Sequence, residues 1–123
     1  MVWETQKILD KDISVNATAV RVPVLIGHSE SVTIETEKPI DVETIKNDYI
    51  KHEGIQLIDN PKLDEYPTAI DNGHGTDHVY VGRIRKSLNS DKVLNIWVVA
   101  DNVRKGAALN SIQIAEELIK ERK

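Results

Sequence analysis

VYVGRIRKSLNSDKVLNIWVVAD, residues 79–101, holds two runs rich in β-branched residues on either side of a short polar stretch. Val79–Ser87 and Val93–Asp101 each have the composition of a strand, and LNSDK between them is short enough to bring the chain straight back beside itself. An antiparallel pair is therefore expected, and the rest of the chain must supply its neighbours and its cover. Downstream, GAALNSIQIAEELIKE (106–121) sets Ala108, Ile112, Ala115, Leu118 and Ile119 on one helical stripe. Upstream, IQLID (55–59) is a short strand, and NPKLDEYPTAIDNGHGTDH (60–78), with two prolines and two glycines, reads as a long irregular connection. A connection of that length in a compact domain tends to be functional or to face a partner.

Further upstream, DVETIKNDYIKHE (41–53) opens on Asp41 as an N-cap, carries Val42, Ile45, Tyr49 and Ile50 on one face, and stops at Gly54. SVNATAVRVPVLI (14–26) and SESVTIETE (29–37) are β-branched and partly alternating, which predicts two strands joined through Gly27 and His28. ETQKIL (4–9) has helical spacing. The expected order is α-β-β-α-β-β-β-α, an α+β domain with helices packed on a mixed, largely antiparallel sheet.

At 123 residues and 40% hydrophobic the chain fits a single domain over 1–123. Twenty acidic against sixteen basic residues leave a net charge of -4 with neither sign gathered into a block, so a nucleic-acid surface is not expected. No apolar run reaches membrane-spanning length and no leader pattern follows Met1, so a cytoplasmic setting without a membrane partner is expected. Cysteine is absent, which removes disulfides, thiolate metal sites and a cysteine nucleophile from this chain.

Two residues stand out chemically in RVPVLIGHSES (21–31). Strand alternation would put Arg21 on a face with Ala17, Ala19 and Pro23, small neighbours that leave room for an anion. A guanidinium is permanently charged, and its planar fork matches a carboxylate held at two points. His28 follows Gly27, and imidazole changes charge near neutral pH, as a general acid or base must. A straight strand would hold the two about 23 Å apart, so a shared small substrate requires the chain to bend at Pro23 or Gly27.

VWETQKIL, ATAVRVPVLIGHSESV, VYVGRIRKSL and NIWVVADNVRKGAALNSIQIAEEL, taken in this order, resemble the C-terminal third of bacterial aspartate-semialdehyde dehydrogenase. The most specific parts are the R-V-P-V-x-x-G-H-S-E run and the D-N-x-x-K-G-A-A-x-N-x-x-Q-I-A run. The resemblance implies the dimerisation-domain fold of semialdehyde dehydrogenases, similar to the C-terminal domain of glyceraldehyde phosphate dehydrogenase. It also implies an NADP-dependent enzyme that reductively dephosphorylates aspartyl-4-phosphate to aspartate semialdehyde and phosphate through a cysteine thioester, on the way to lysine, threonine and methionine. By similarity Arg21 would bind the substrate carboxylate, His28 would be the acid/base and Asn102 would contact the nicotinamide. A homodimer is implied, and no metal.

The family's nucleophilic cysteine and glycine-rich NADP-binding turn are not in this chain, so the chain alone is expected to be inactive and to bind NADP weakly. Its first helix would be a truncated one, and its last helix, 106–121, would dock in the family on the nucleotide-binding domain absent here. Without that domain, the stripe would pack on the sheet, dock on another copy, or leave the end loose. A non-catalytic assembly module of the same fold is the alternative; a piece of N-acetyl-γ-glutamyl-phosphate reductase fits less well, because its histidine environment differs.

Other polar residues have simpler accounts. His74, Asp77 and His78 in the glycine-rich loop lack a fixed scaffold for a metal. Arg83 and Arg85 suit structural ion pairs, Trp97 suits the core, and His52 suits a helix C-terminus.

Overall fold

A computed structural model describes residues 1–122. The elements run α1 (Val2–Ile8), β1 (His28–Glu35), α2 (Val42–Lys51), β2 (Ile55–Leu57), α3 (Ala69–Asn72), β3 (Val79–Ser87), β4 (Ser90–Ala100) and α4 (Leu109–Glu121). The sheet order is β1-β4-β3-β2, antiparallel at β1/β4 and β3/β4 and parallel at β2/β3. The α+β arrangement on a mixed, largely antiparallel sheet is thus as expected, with the 79–101 hairpin supplying its two central strands. The hairpin turn is tighter than LNSDK suggested: Ser87 pairs with Ser90, and only Leu88 and Asn89 lie between the strands.

The core forms on one face of this hairpin. Val81, Ile84, Leu94 and Ile96 are buried with Ile40, and Val32, Leu57 and the α2 residues Val42, Ile45 and Tyr49 pack against them. Helix α2 starts where Asp41 accepts hydrogen bonds from the Glu43 N–H (3.3 Å) and the Thr44 hydroxyl (2.6 Å). At its other end His52 Nδ1 accepts from the Gly54 N–H at 3.1 Å, so the ring caps the exit turn.

A bulge interrupts the β3–β4 ladder between Gly82 and Arg85. It sets Arg83 at φ 55, a conformation unfavourable for a side-chain-bearing residue, and Asp59 holds it there by accepting the Arg83 N–H at 2.7 Å. The Asp59 carboxylate is itself paired with Lys46 at 2.7 Å. The bulge also ends the simple alternation expected for the two arginines. Among the described residues neither forms an ion pair: Arg83 lies 5.6 Å over the Tyr66 ring and Arg85 donates to the Arg83 carbonyl at 2.6 Å.

Two expectations need correction. Residues 14–26 do not form a strand: among the described residues they pair neither with the outer edge of β1 nor with any other strand. Val20 is 80% exposed and Leu25 is fully exposed, so β-branched composition here goes with neither pairing nor burial. The face that would have grouped Arg21 with Ala17 and Ala19 therefore does not exist. The last helix begins at Leu109 rather than residue 106, because Gly106 takes φ 83 in an irregular turn over Arg104–Ala108. Its apolar stripe remains uncovered, with Ile112, Leu118 and Ile119 all more than half exposed.

Candidate functional site

Both available bends between Arg21 and His28 are used. Around Pro23 a three-residue turn closes with the Val24 N–H donating to the Val22 carbonyl at 2.9 Å. Gly27 takes φ 96, a conformation open to glycine, just before β1 begins at His28. Arg21 and His28 are both exposed, and Arg21 makes no side-chain hydrogen bond or ion pair among the described residues. A free guanidinium on a doubly bent segment remains available to an external anion.

His28 stands at the end of the sheet where β1, β4 and β3 finish level. It pairs with Ala100, which pairs on its other side with Val79. Asn102 follows two residues after Ala100, and its Oδ1 accepts the Gly27 N–H at 3.0 Å, a bond spanning 75 positions. The amide orientation leaves the Asn102 NH₂ group without a partner among the described residues, as a donor for a carbonyl oxygen. Arg21 and His28 are thus joined by a segment with two turns, and His28 and Asn102 are joined through the Gly27 peptide.

The glycine-rich end of the 60–78 connection reaches the same place. Gly73 lies against Gly27 so closely that a Cβ on Gly27 would sit 2.9 Å from the Gly73 carbonyl oxygen. Asp101, 3% exposed, accepts the Gly75 N–H at 2.8 Å and the Val103 N–H at 2.9 Å. The Gly75 N–H, with the Val103 and Arg104 amides, holds its carboxyl below the ordinary value of 3.8 against the opposing effect of desolvation. His74 Nδ1 lies 3.8 Å from the same carboxylate.

The other groups in the loop are occupied elsewhere. Asp77 pairs with Arg104, and the His78 ring packs edge-on to Tyr80 at 6.4 Å. Among the described residues no three His, Asp or Glu side chains gather as metal ligands. Sequence reasoning missed Asp101 and Gly73, since an acidic residue after an apolar strand reads as its polar end and a glycine in a loop reads as a turn. The juxtaposition of two glycines from distant segments carries no sequence signal.

Comparison with known proteins agrees with this architecture. The family described as semialdehyde dehydrogenase, dimerisation domain, matches residues 1–105, which leaves α4 outside the matched span. The chain is 54% identical over 122 residues to aspartate-semialdehyde dehydrogenase of Shewanella violacea, covering 98% of this chain and 36% of that protein. To the Aquifex aeolicus enzyme of the same name it is 52% identical, again over 98% of this chain and 36% of the relative. Among solved structures, aspartate semialdehyde dehydrogenase II of Vibrio cholerae, complexed with ASA, superimposes with a TM-score of 0.90 at 50% identity, over 98% of this chain and 35% of that one. The chain spans about a third of the length of the relatives it matches. It belongs to the semialdehyde dehydrogenase dimerisation-domain family, and over nearly its whole length it is similar to the C-terminal part of aspartate-semialdehyde dehydrogenase.

Proposed function

We propose that this chain is the portion of an NADP-dependent aspartate-semialdehyde dehydrogenase that carries its substrate clamp and its proton-transfer residue. Arg21 binds the carboxylate of aspartyl-4-phosphate or aspartate semialdehyde through its two-pronged guanidinium. His28 is the acid/base, exchanging a proton with a cysteine thiol and with the reacting carbonyl, both supplied from outside this chain, which has no cysteine. Asn102 donates its free NH₂ to the nicotinamide carboxamide and so orients the ring. NADPH supplies the hydride in the reductive direction, and phosphate leaves.

The observation that carries this reading is the Gly27–Asn102 hydrogen bond. It brings the expected cofactor contact next to the expected proton carrier, and it uses only the oxygen of the amide, leaving the donor for the ligand. Residues 1–123 then form the C-terminal part of the catalytic and dimerisation domain in a cytoplasmic homodimer. The stripe on α4, uncovered here, packs against the NADP-binding domain of the complete enzyme.

A hybrid tests this. With this chain replacing its counterpart in the Shewanella violacea enzyme, NADP-dependent turnover of aspartate semialdehyde is expected, while the chain alone gives none. In the hybrid, His28→Ala lowers kcat about 100-fold or more with little change in KM. Arg21→Ala raises KM about tenfold or more. The reverse pattern overturns the two assignments, and an active hybrid indifferent to both substitutions makes the chain an assembly module.

A further inference from the structure

We propose that Asp101 is a positioning residue for His28, acting through the segment 67–75, which serves as the seat of the Gly27 turn. This rests on the reading of His28 as the proton carrier. Segment 67–75 of the long connection, which the sequence left without a role, is held at one end to β4 and at the other to the residue that follows it. At one end the Trp97 indole N–H donates to the Pro67 carbonyl at 2.9 Å, and Pro67 is fully buried. At the other, Asp101 accepts from Gly75. Between them the one-turn helix α3 is tied at its start: Thr68 caps it by accepting the Asp71 N–H at 3.1 Å, and Asn72 accepts the Thr68 N–H at 3.0 Å. The segment is a short brace whose ends are fixed by side chains of one strand and the residue that follows it.

It also meets the site where Gly73 lies against Gly27. Both are buried, and neither tolerates a Cβ: one on Gly73 would lie 2.7 Å from the Ala69 carbonyl oxygen. Gly27 is therefore seated between two supports contributed by consecutive residues. Asn102 holds its N–H directly, and Asp101 holds the Gly73–Gly75 loop against its other side. Because Gly27 has φ 96, its peptide sets the direction in which the chain enters His28. Releasing Gly75 lets Gly73 withdraw, and the Gly27 peptide then rotates toward the space vacated. A carboxylate needed only to close the turn after β4 would use one oxygen, as Oδ1 does with the Val103 N–H. The second oxygen, Oδ2, is turned instead toward Gly75, where it joins strand end to loop.

The test uses the 123-residue chain labelled for NMR, with Asp101→Asn as the probe, because an amide of the same shape keeps one acceptor and loses the other. Exchange of the Gly75 and Gly27 amides is expected to quicken about tenfold or more while the β3 and β4 amides keep their protection. The His28 imidazole signals shift in the same variant. Asp101→Glu restores part of the Gly27 protection. Should Asp101→Asn lose its dispersed spectrum, Trp97→Phe frees the Pro67 end of the brace and is expected to quicken Gly27 exchange in the same direction. In the hybrid enzyme Asp101→Asn lowers kcat about tenfold or more with KM little changed. Unchanged Gly27 exchange and His28 signals after Gly75 has been released overturn the proposal. If His28→Ala leaves turnover intact, the acid/base reading fails, and amide exchange still decides whether the brace holds Gly27.

Discussion

The hairpin β3–β4 and the two outlying apolar stretches, Val20–Leu25 and α4, have similar chemistry and opposite fates. In the hairpin, Val81, Ile84, Leu94 and Ile96 lie on the face that α2 covers, and all are buried. In 20–25, valines and a leucine of the same kind are exposed, and Ile112, Leu118 and Ile119 on α4 stand equally bare. Apolar patterning states that a face seeks cover. Whether cover is found within the chain depends on whether another element is within reach, which is a property of topology. In the hairpin the partner is nine to eleven residues of adjacent strand, whereas residues 14–26 pair with no strand among the described residues.

The sharpest way to break this contrast is to disturb the hairpin at Gly82, where another segment leaves no room for a side chain. A Cβ on Gly82 would lie 2.2 Å from the Ile58 carbonyl oxygen and 2.7 Å from Pro67 Cδ, and neither can move without carrying its segment along. Gly82→Ala is expected to destabilise the chain by about 3 kcal/mol or more, read as a lowered denaturation midpoint. A midpoint equal to the parent's would show that the two segments yield freely.

A matched pair of truncations comes next. Leu94→Ala removes a side chain only 4% exposed and should cost about 3 kcal/mol, whereas Leu25→Ala, fully exposed, should stay within about 0.5 kcal/mol. Equal costs in urea denaturation would mean that 20–25 is packed in solution and would erase the distinction between the regions.

The smallest effect is the pH response at the strand end. The Gly75 amide, the largest influence, and those of Val103 and Arg104 favour ionised Asp101, so its folded-state pKa lies below the ordinary 3.8. The stabilisation is therefore complete above that value and fades as pH falls through the lower folded-state value. Gly75 should lose amide protection on acidification, and Asp101→Asn should flatten the change. Protection that falls instead as pH rises would contradict the sign.

Much of the fold was legible because its signals are local. The periodicity of 41–53 and the cap at Asp41 defined α2, and the β-branched runs of 79–101 defined the hairpin. The segment 14–26 misled because its composition carries the same signal as a paired strand, while pairing depends on a partner that composition does not report. The Gly82–Arg85 bulge was equally silent, since Asp59, far off in sequence, is what stabilises the positive φ at Arg83.

The candidate site divides in the same manner. Charge and titration chemistry singled out Arg21 and His28, and the geometric need for bends at Pro23 or Gly27 followed from strand length alone. The resemblance pointed to Asn102. By itself, then, the sequence determined the α+β class, the central hairpin and the chemical identity of the site's polar groups, because helix period, strand alternation and side-chain chemistry are written in neighbouring residues. Only the tertiary structure decided that Asn102 is bonded to the Gly27 peptide, that Gly73 lies against Gly27, and that Asp101 ties the loop to the strand end. Those contacts join residues 26 to 75 positions apart, and such closures are fixed by the packing of the whole chain rather than by any local run.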